Sequence, residues 1–265
     1  MEHTAIEHTA YVQAVREQSE HFLEALAGVD PATPVPSCDG WTAADLLWHL
    51  GEVQHFWAQV TRGASPDEVT TEDRPADDAL PDFVARAGTA LVLALAERAP
   101  SDTAWSWHDD GGTVAWIARR QAHEALVHRV DAELTAGRDV SPPPVTLAVD
   151  GVDEMLRVMV DGVPGWGEFV PDGATVRIAA ESGDTWVLAL GRFLGTSPDS
   201  GTSYDLDAAA VLAEDDGGAD TLVVSGSAWD LDLWLWGRGG TESLQVEGDP
   251  ALTRRVRELF AEATQ

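Results

Sequence analysis

The segment RRQAHEALVHRVDAE, Arg119 to Glu133, carries two metal-ligand types, Glu124 and His128, four positions apart. On an α-helix that spacing puts both side chains on one face, one turn apart. A carboxylate and an imidazole so placed can both reach one divalent cation. Asp131, three residues beyond His128, is positioned to support the imidazole as a hydrogen-bond acceptor. A third ligand has to come from another element. The stretch DLLWHLGEVQHFW holds His49 within an apolar stripe of Leu46, Leu47, Leu50 and Val53. An imidazole facing a core needs a polar partner, because an unsatisfied buried polar group is costly. A metal shared by His49, Glu124 and His128 would supply one. Spacing alone leaves two plainer readings open, an exposed E-x-x-x-H pair and a hydrogen-bonded core histidine. Two imidazoles and a carboxylate also suit iron, nickel, cobalt or manganese as well as zinc.

The other candidates carry less. His55 follows His49 by six residues and so points elsewhere around the helix, at the surface or at a pocket mouth. His123 sits about 100° from Glu124 and reads as structural or supporting. Cys38 is the only cysteine, so it forms no internal disulfide and reads as an incidental thiol. Trp41, Trp48 and Trp57 read as packing residues, among eleven tryptophans that suggest large buried aromatic surfaces or aromatic-lined pockets.

These residues need a scaffold, and the first 137 residues read as four amphipathic helices. The apolar series are Tyr11 to Leu26, Leu46 to Trp57, Leu80 to Leu95 and Val114 to Val130. Breaker-rich stretches separate them, and Thr42 or Asp39 can cap the second. This pattern suits a four-helix bundle over residues 1–138, its loops long enough to carry function. GRDVSPPP, with three consecutive prolines, reads as a linker. Residues 145–265 then read as a smaller α+β domain with an antiparallel sheet. Its expected strands are Ala174–Ala179, Trp186–Leu190, Ala209–Ala213, Thr221–Ser225 and Ser243–Val246. Helices are expected at about Leu147–Val160, Ala228–Gly237 and Pro250–Ala263. The doubled EHTA at Glu2–Ala5 and Glu7–Ala10 is too short to mean more than a local duplication.

Sixteen basic residues, all arginine, face 46 acidic ones, for a net charge of −30. So acidic a chain repels phosphate backbones and anionic membrane surfaces, which speaks against nucleic-acid and membrane partners. No run of eighteen apolar residues occurs, and the acidic N-terminus resembles neither a signal nor a transit peptide. The expected compartment is the cytoplasm.

PVPSCDGWTAADLLWHLGEVQHFW followed by RRQAHEALVHRVDAELTAG resembles the mycothiol-dependent maleylpyruvate isomerase family of actinobacterial enzymes. WDLDLWLWGRGG resembles part of that family's second domain. The resemblance implies a DinB-like four-helix bundle and a zinc ion held by His49, Glu124 and His128. It also implies that Arg238, after LWG, lies near the active site; a bidentate contact from it can hold a substrate carboxylate. Its plainer reading is an arginine serving a helix C-terminus. The implied partners are a small electrophile and a low-molecular-weight thiol, mycothiol. A metal would lower the thiol pKa, and the thiolate would add to a double bond conjugated to a carbonyl. Rotation and elimination give isomerisation; loss of a leaving group, or retention of the adduct, gives S-transfer. The competing expectations are a non-catalytic binding or regulatory protein and a thiol-independent metal hydrolase.

Overall fold

The structure, a computed structural model, describes residues 6–108, 111–212 and 222–264. Chain contacts divide it into two units, one ending at Ser141 and the other beginning at Pro142.

The first unit contains α1 (His8–Leu26), α2 (Ala43–Thr61), α3 (Leu80–Glu97) and α4 (Val114–Thr135). Pairs α1–α4 and α2–α3 form the main packing surfaces, with α1–α3 and α2–α4 closing the bundle. Phe22, Leu46, Leu50, Leu80, Phe83, Leu91, Ile117 and Leu126 are fully buried. Each such side chain contributes roughly 1.5–3 kcal/mol of burial. Thr42 starts α2 with a reciprocal cap: its hydroxyl accepts from the Asp45 amide, and the Asp45 carboxylate accepts from the Thr42 amide at 3.0 Å. Thr113 caps α4 by one bond, its hydroxyl accepting from the Trp116 amide. Gly51 lets α3 come close, since a Cβ there would lie 2.4 Å from the Phe83 ring.

Asp77–Glu97 is apolar and long enough to cross a membrane by composition, although no unbroken apolar run marks it in the sequence. Half of that segment is buried within the protein, as befits a bundle helix. Helix α4 differs from the other three. It is buried around most of its circumference and takes Arg120, His123, His128, Arg129, Asp131 and Glu133 inside with it.

In the second unit α5 (Val145–Glu154) runs on into a π-helical turn, Met155–Val160. Strands β1 (Gly167–Ala180), β2 (Thr185–Thr196), β3 (Ser203–Val211) and β4 (Leu222–Gly226) follow, then α6 (Ala228–Leu235), β5 (Gln245–Gly248) and α7 (Pro250–Ala263). The sheet order is β3-β2-β1-β4-β5, antiparallel throughout except for the parallel β1–β4 pair. Val176 lies opposite both Leu188 and Leu222, and Ile178 opposite both Trp186 and Val224. These buried residues share one face and form the sheet's side of the core.

The sheet is mostly antiparallel, as the turn-rich alternation implied, but three strands are longer than their apolar runs. Strand β1 passes through Pro171 and Gly173 at a register shift, β2 continues through Gly191 and Gly195, and β3 starts among the polar residues before Ala209. Glycine and proline, read as strand ends, here mark an irregular ladder. At Gly191 a Cβ would lie 2.2 Å from the Val170 carbonyl oxygen, so the pair approaches more closely than any side chain permits. The expected strand at Ala209–Ala213 ends at Val211; Ala213, Thr221 and the Glu2–Ala5 repeat lie outside the described residues.

Candidate metal centre

One stripe of α4 carries Arg120, Glu124, His128 and Asp131, and each touches the next. Arg120 Nη2 donates to Glu124 Oε2 at 2.5 Å. His128 Nε2 lies 3.2 Å from Glu124 Oε1, and His128 Nδ1 lies 2.9 Å from Asp131 Oδ2. Helix α2 delivers His49 from the facing side, its Nε2 3.5 Å from the same Glu124 Oε1. One donor atom from each of His49, Glu124 and His128 lies within 4.8 Å of the other two. The sequence-predicted trio is therefore brought together.

The donor set fits a metal on its own geometry. Ligands about 2.0–2.1 Å from a tetrahedral ion stand roughly 3.3–3.4 Å from one another. The two separations from Glu124 Oε1, 3.2 and 3.5 Å, bracket that value. Asp131 accepts from His128 Nδ1 and so orients the ring with Nε2 toward the trio.

The support around this set comes from the loop that precedes α2. Asp131 is fully buried and also accepts from Ser37 Oγ at 2.5 Å and from Cys38 Sγ at 3.8 Å. The Trp41 ring lies tilted against His49, centroids 4.8 Å apart, and parallel to His128 at 6.5 Å. Backbone bonds from Val35 to Trp41 and from Ala43 to Thr33 pin the loop. Cys38 and Trp41, read as an incidental thiol and a packing residue, thus belong to the surroundings of the trio. Arg120 escaped the sequence reading although its i−4 spacing from Glu124 was available.

Ionisation follows from these contacts. Burial raises the Glu124 pKa, but bonds from His128 and His49 and the charges of His128 and Arg120 hold it well below the usual carboxylate range. Burial lowers the His128 pKa, yet Asp131 and Glu124 together lift it to about 9.

Beside the trio lies a cavity of about 300 Å³ between α2, the 69–72 segment and α3, with His49 in its wall. His55 shares that wall; its Nε2 contacts the Thr70 carbonyl at 2.9 Å. Its place is the pocket lining rather than bare surface. His123 is buried, edge-on to Tyr11. Trp57, Trp105 and Trp116 form a further aromatic chain with neighbouring centroids 5.9 Å apart. Arg238 belongs to the other unit, just after α6, where its Nη1 donates to the Trp236 carbonyl at 2.7 Å. That contact serves the end of the helix. His3 lies outside the described residues.

Two family models match the chain. The mycothiol maleylpyruvate isomerase N-terminal domain covers residues 12–133, and the family's C-terminal domain covers residues 146–255. No curated protein sequence matches at a significant level. Two solved structures share the fold. One is a His-to-Ala mutant of the mycothiol-dependent maleylpyruvate isomerase, at TM-score 0.62 and 17% identity. The other is a structure of the mycothiol-dependent maleylpyruvate isomerase, at TM-score 0.58 and 19% identity. Both alignments cover 91% of this chain and 93% of the other. The chain belongs to the mycothiol maleylpyruvate isomerase family of enzymes.

Proposed function

We propose that the chain is a metal-dependent thiol enzyme that activates mycothiol, or a similar small thiol, for addition to an electrophilic alkene or related carbon centre. The observation that supports this reading is the convergence of His49, Glu124 and His128, three donors with no cysteine among them in the described residues. Three-ligand zinc sites keep a further position for water or substrate, whereas structural sites are usually closed by four protein ligands. A divalent metal, zinc by family resemblance, would there stabilise a thiolate at neutral pH and polarise an acceptor carbonyl.

The chain's own residues hold and orient. Arg120 takes Glu124 Oε2, which leaves Oε1 directed at the two imidazoles. Asp131, tied down by Ser37, fixes the ring plane of His128. Trp41 shields one side of both imidazoles from water, while His49, about a third exposed, marks the side open to small molecules. Arg238 is assigned to a carboxylate of the substrate; the support is its place within the matched C-terminal domain. In cis–trans isomerisation the sulfur forms a C–S bond and the π electrons move to the carbonyl oxygen. The single bond rotates, the enolate re-forms the double bond, and the thiolate departs unchanged. In S-transfer a leaving group carries the electron pair away instead. A reducing cytoplasm, where such thiols are kept, accords with this chemistry.

The test is conversion of maleylpyruvate, and of a panel of electrophiles, by metal-loaded protein with and without mycothiol. Turnover only with thiol supports the proposal. Equal turnover without thiol makes the protein a hydrolase-type metalloenzyme. Tight metal binding with no turnover of any electrophile makes it a binding scaffold.

A further inference from the structure

The cavity beside His49 has apolar and aromatic sides and a polar remainder. Val53, Phe56 and Trp57 from α2, Val69 from the following segment and Phe83 from α3 give it apolar and aromatic sides. Its acidic lining residues are Glu52 and Glu72, the latter 3.9 Å from His55 Nδ1, and no arginine stands among the described lining residues. The chain has no lysine to substitute. Arg86 approaches from outside the lining, 3.8 Å from Glu72 and 5.9 Å from the Phe83 ring centre, and most of its side chain is in solvent. Arg120 is committed to Glu124. A volume of about 300 Å³ sits at the small end of ligand pockets, which are mostly apolar with a few polar groups. His49 is common to the cavity wall and to the ligand trio, whereas Glu124 and His128 are not among the lining residues, so the cavity adjoins the trio through His49.

We propose that this cavity seats the uncharged, apolar or aromatic body of the electrophile, and that it selects against dicarboxylates of the maleylpyruvate kind. The selection is by repulsion: a second carboxylate placed among Phe56, Trp57 and Phe83 would lose its hydration and face Glu52 and Glu72. A substrate with one carboxylate remains compatible, provided that its other end is neutral. This inference rests on the thiol-enzyme reading for its consequence in turnover, but not for the binding site itself.

The experiment has two arms. In the first, calorimetry follows binding of 4-phenylbut-3-en-2-one, a neutral aryl enone, and of maleate to the metal-loaded protein without thiol. The enone binds saturably and maleate at least about tenfold more weakly. Val53→Trp, from the helix side, and Thr71→Trp, from the loop side, each abolish enone binding while circular dichroism stays unchanged. Two substitutions from different elements keep the test decisive if one fails to fold. Maleate binding as tight as the enone, or enone binding indifferent to both substitutions, overturns the proposal. In the second arm, kcat/KM with mycothiol favours the aryl enone over maleylpyruvate by about 100-fold. The E52Q/E72Q double variant narrows that ratio about tenfold; an unchanged ratio overturns the charge argument. Absence of thiol-dependent turnover with either substrate rejects the enzyme reading, and the calorimetric arm still decides the cavity.

Discussion

Helix α4 and the surface of the second unit handle charge in opposite ways. On α4, Arg120–Glu124, His128–Asp131 and Arg129–Glu133 are buried pairs along one helix, and Arg129 is also bonded to Ser141. In the second unit, Arg192 of β2 meets Asp205 and Asp207 of β3, and Arg255 of α7 meets Asp172 and Asp207, with the side chains partly in water. Buried ions are expensive to desolvate and are retained only with well-made partners. Surface pairs gain little and are screened by salt. The lesson is that the first unit spends stability on holding a set of polar atoms in place, whereas the second uses charge mainly to keep strands soluble and in register. A strongly acidic chain has few arginines, and several of them are devoted to these two tasks.

The largest effect should come from breaking the buried network. Asp131→Ala strands both His128 and Ser37 and should destabilise the metal-free protein by about 3 kcal/mol or more, read by urea unfolding. It should also weaken metal binding roughly 10–100-fold. A loss below about 1 kcal/mol would mean that α4 tolerates unpaired charge and that the contrast is wrong. Next in size, Gly51→Ala drives a methyl into the Phe83 ring and should cost about 1–3 kcal/mol. Recovery of that loss in a Gly51→Ala/Phe83→Leu double variant would place the effect at this contact.

The surface pairs of the second unit should respond less. Arg255→Ala removes contacts to Asp172, Asp207 and the Gly191 carbonyl, yet the change should stay within about 1 kcal/mol and shrink in high salt. A loss comparable to that of Asp131→Ala would erase the distinction between the two regions. The smallest effect concerns acid. The bond from Arg74, then those from the Thr42 cap, lowers the Asp45 pKa from 3.8 to about 2. A depressed carboxylate stabilises fully above its unfolded value and loses that contribution as pH falls from about 4 to about 2. Asp45 is more than a third exposed, so screening keeps the effect under about 1 kcal/mol. Arg74→Ala should flatten the stability profile in that window and leave it unaltered at pH 7 to 8 beyond a constant offset. An unaltered slope between pH 4 and 2 would show that the cap, not Arg74, sets the pKa.

The bundle was legible in the sequence because apolar residues recur at helical spacing in each helix and threonines, Thr42 and Thr113, cap two of them. The trio was legible because two of its members sit one turn apart and the third, His49, stands out in an apolar stripe. What stayed hidden came from tertiary placement. Nothing in the spacing says that Ser37 and Cys38 fold back onto Asp131, contacts that join residues more than ninety positions apart, or that Trp41 lies against both imidazoles. The strands were under-read where Pro171, Gly173, Gly191 and Gly195 interrupt apolar alternation that the ladder nevertheless continues across. His55 was left between the surface and a pocket mouth because helical angle alone cannot show that the 69–72 segment lies against α2 to make a pocket wall.

The most direct test of the central claim is metal stoichiometry by elemental analysis of the purified, untagged protein. It is compared with His49→Ala, Glu124→Ala and His128→Ala variants after zinc titration and dialysis. The account predicts about one equivalent of divalent metal in the parent protein and its loss in each variant, with helical content retained. A parent protein that takes up no zinc, or three variants that hold it as well as the parent, would contradict it.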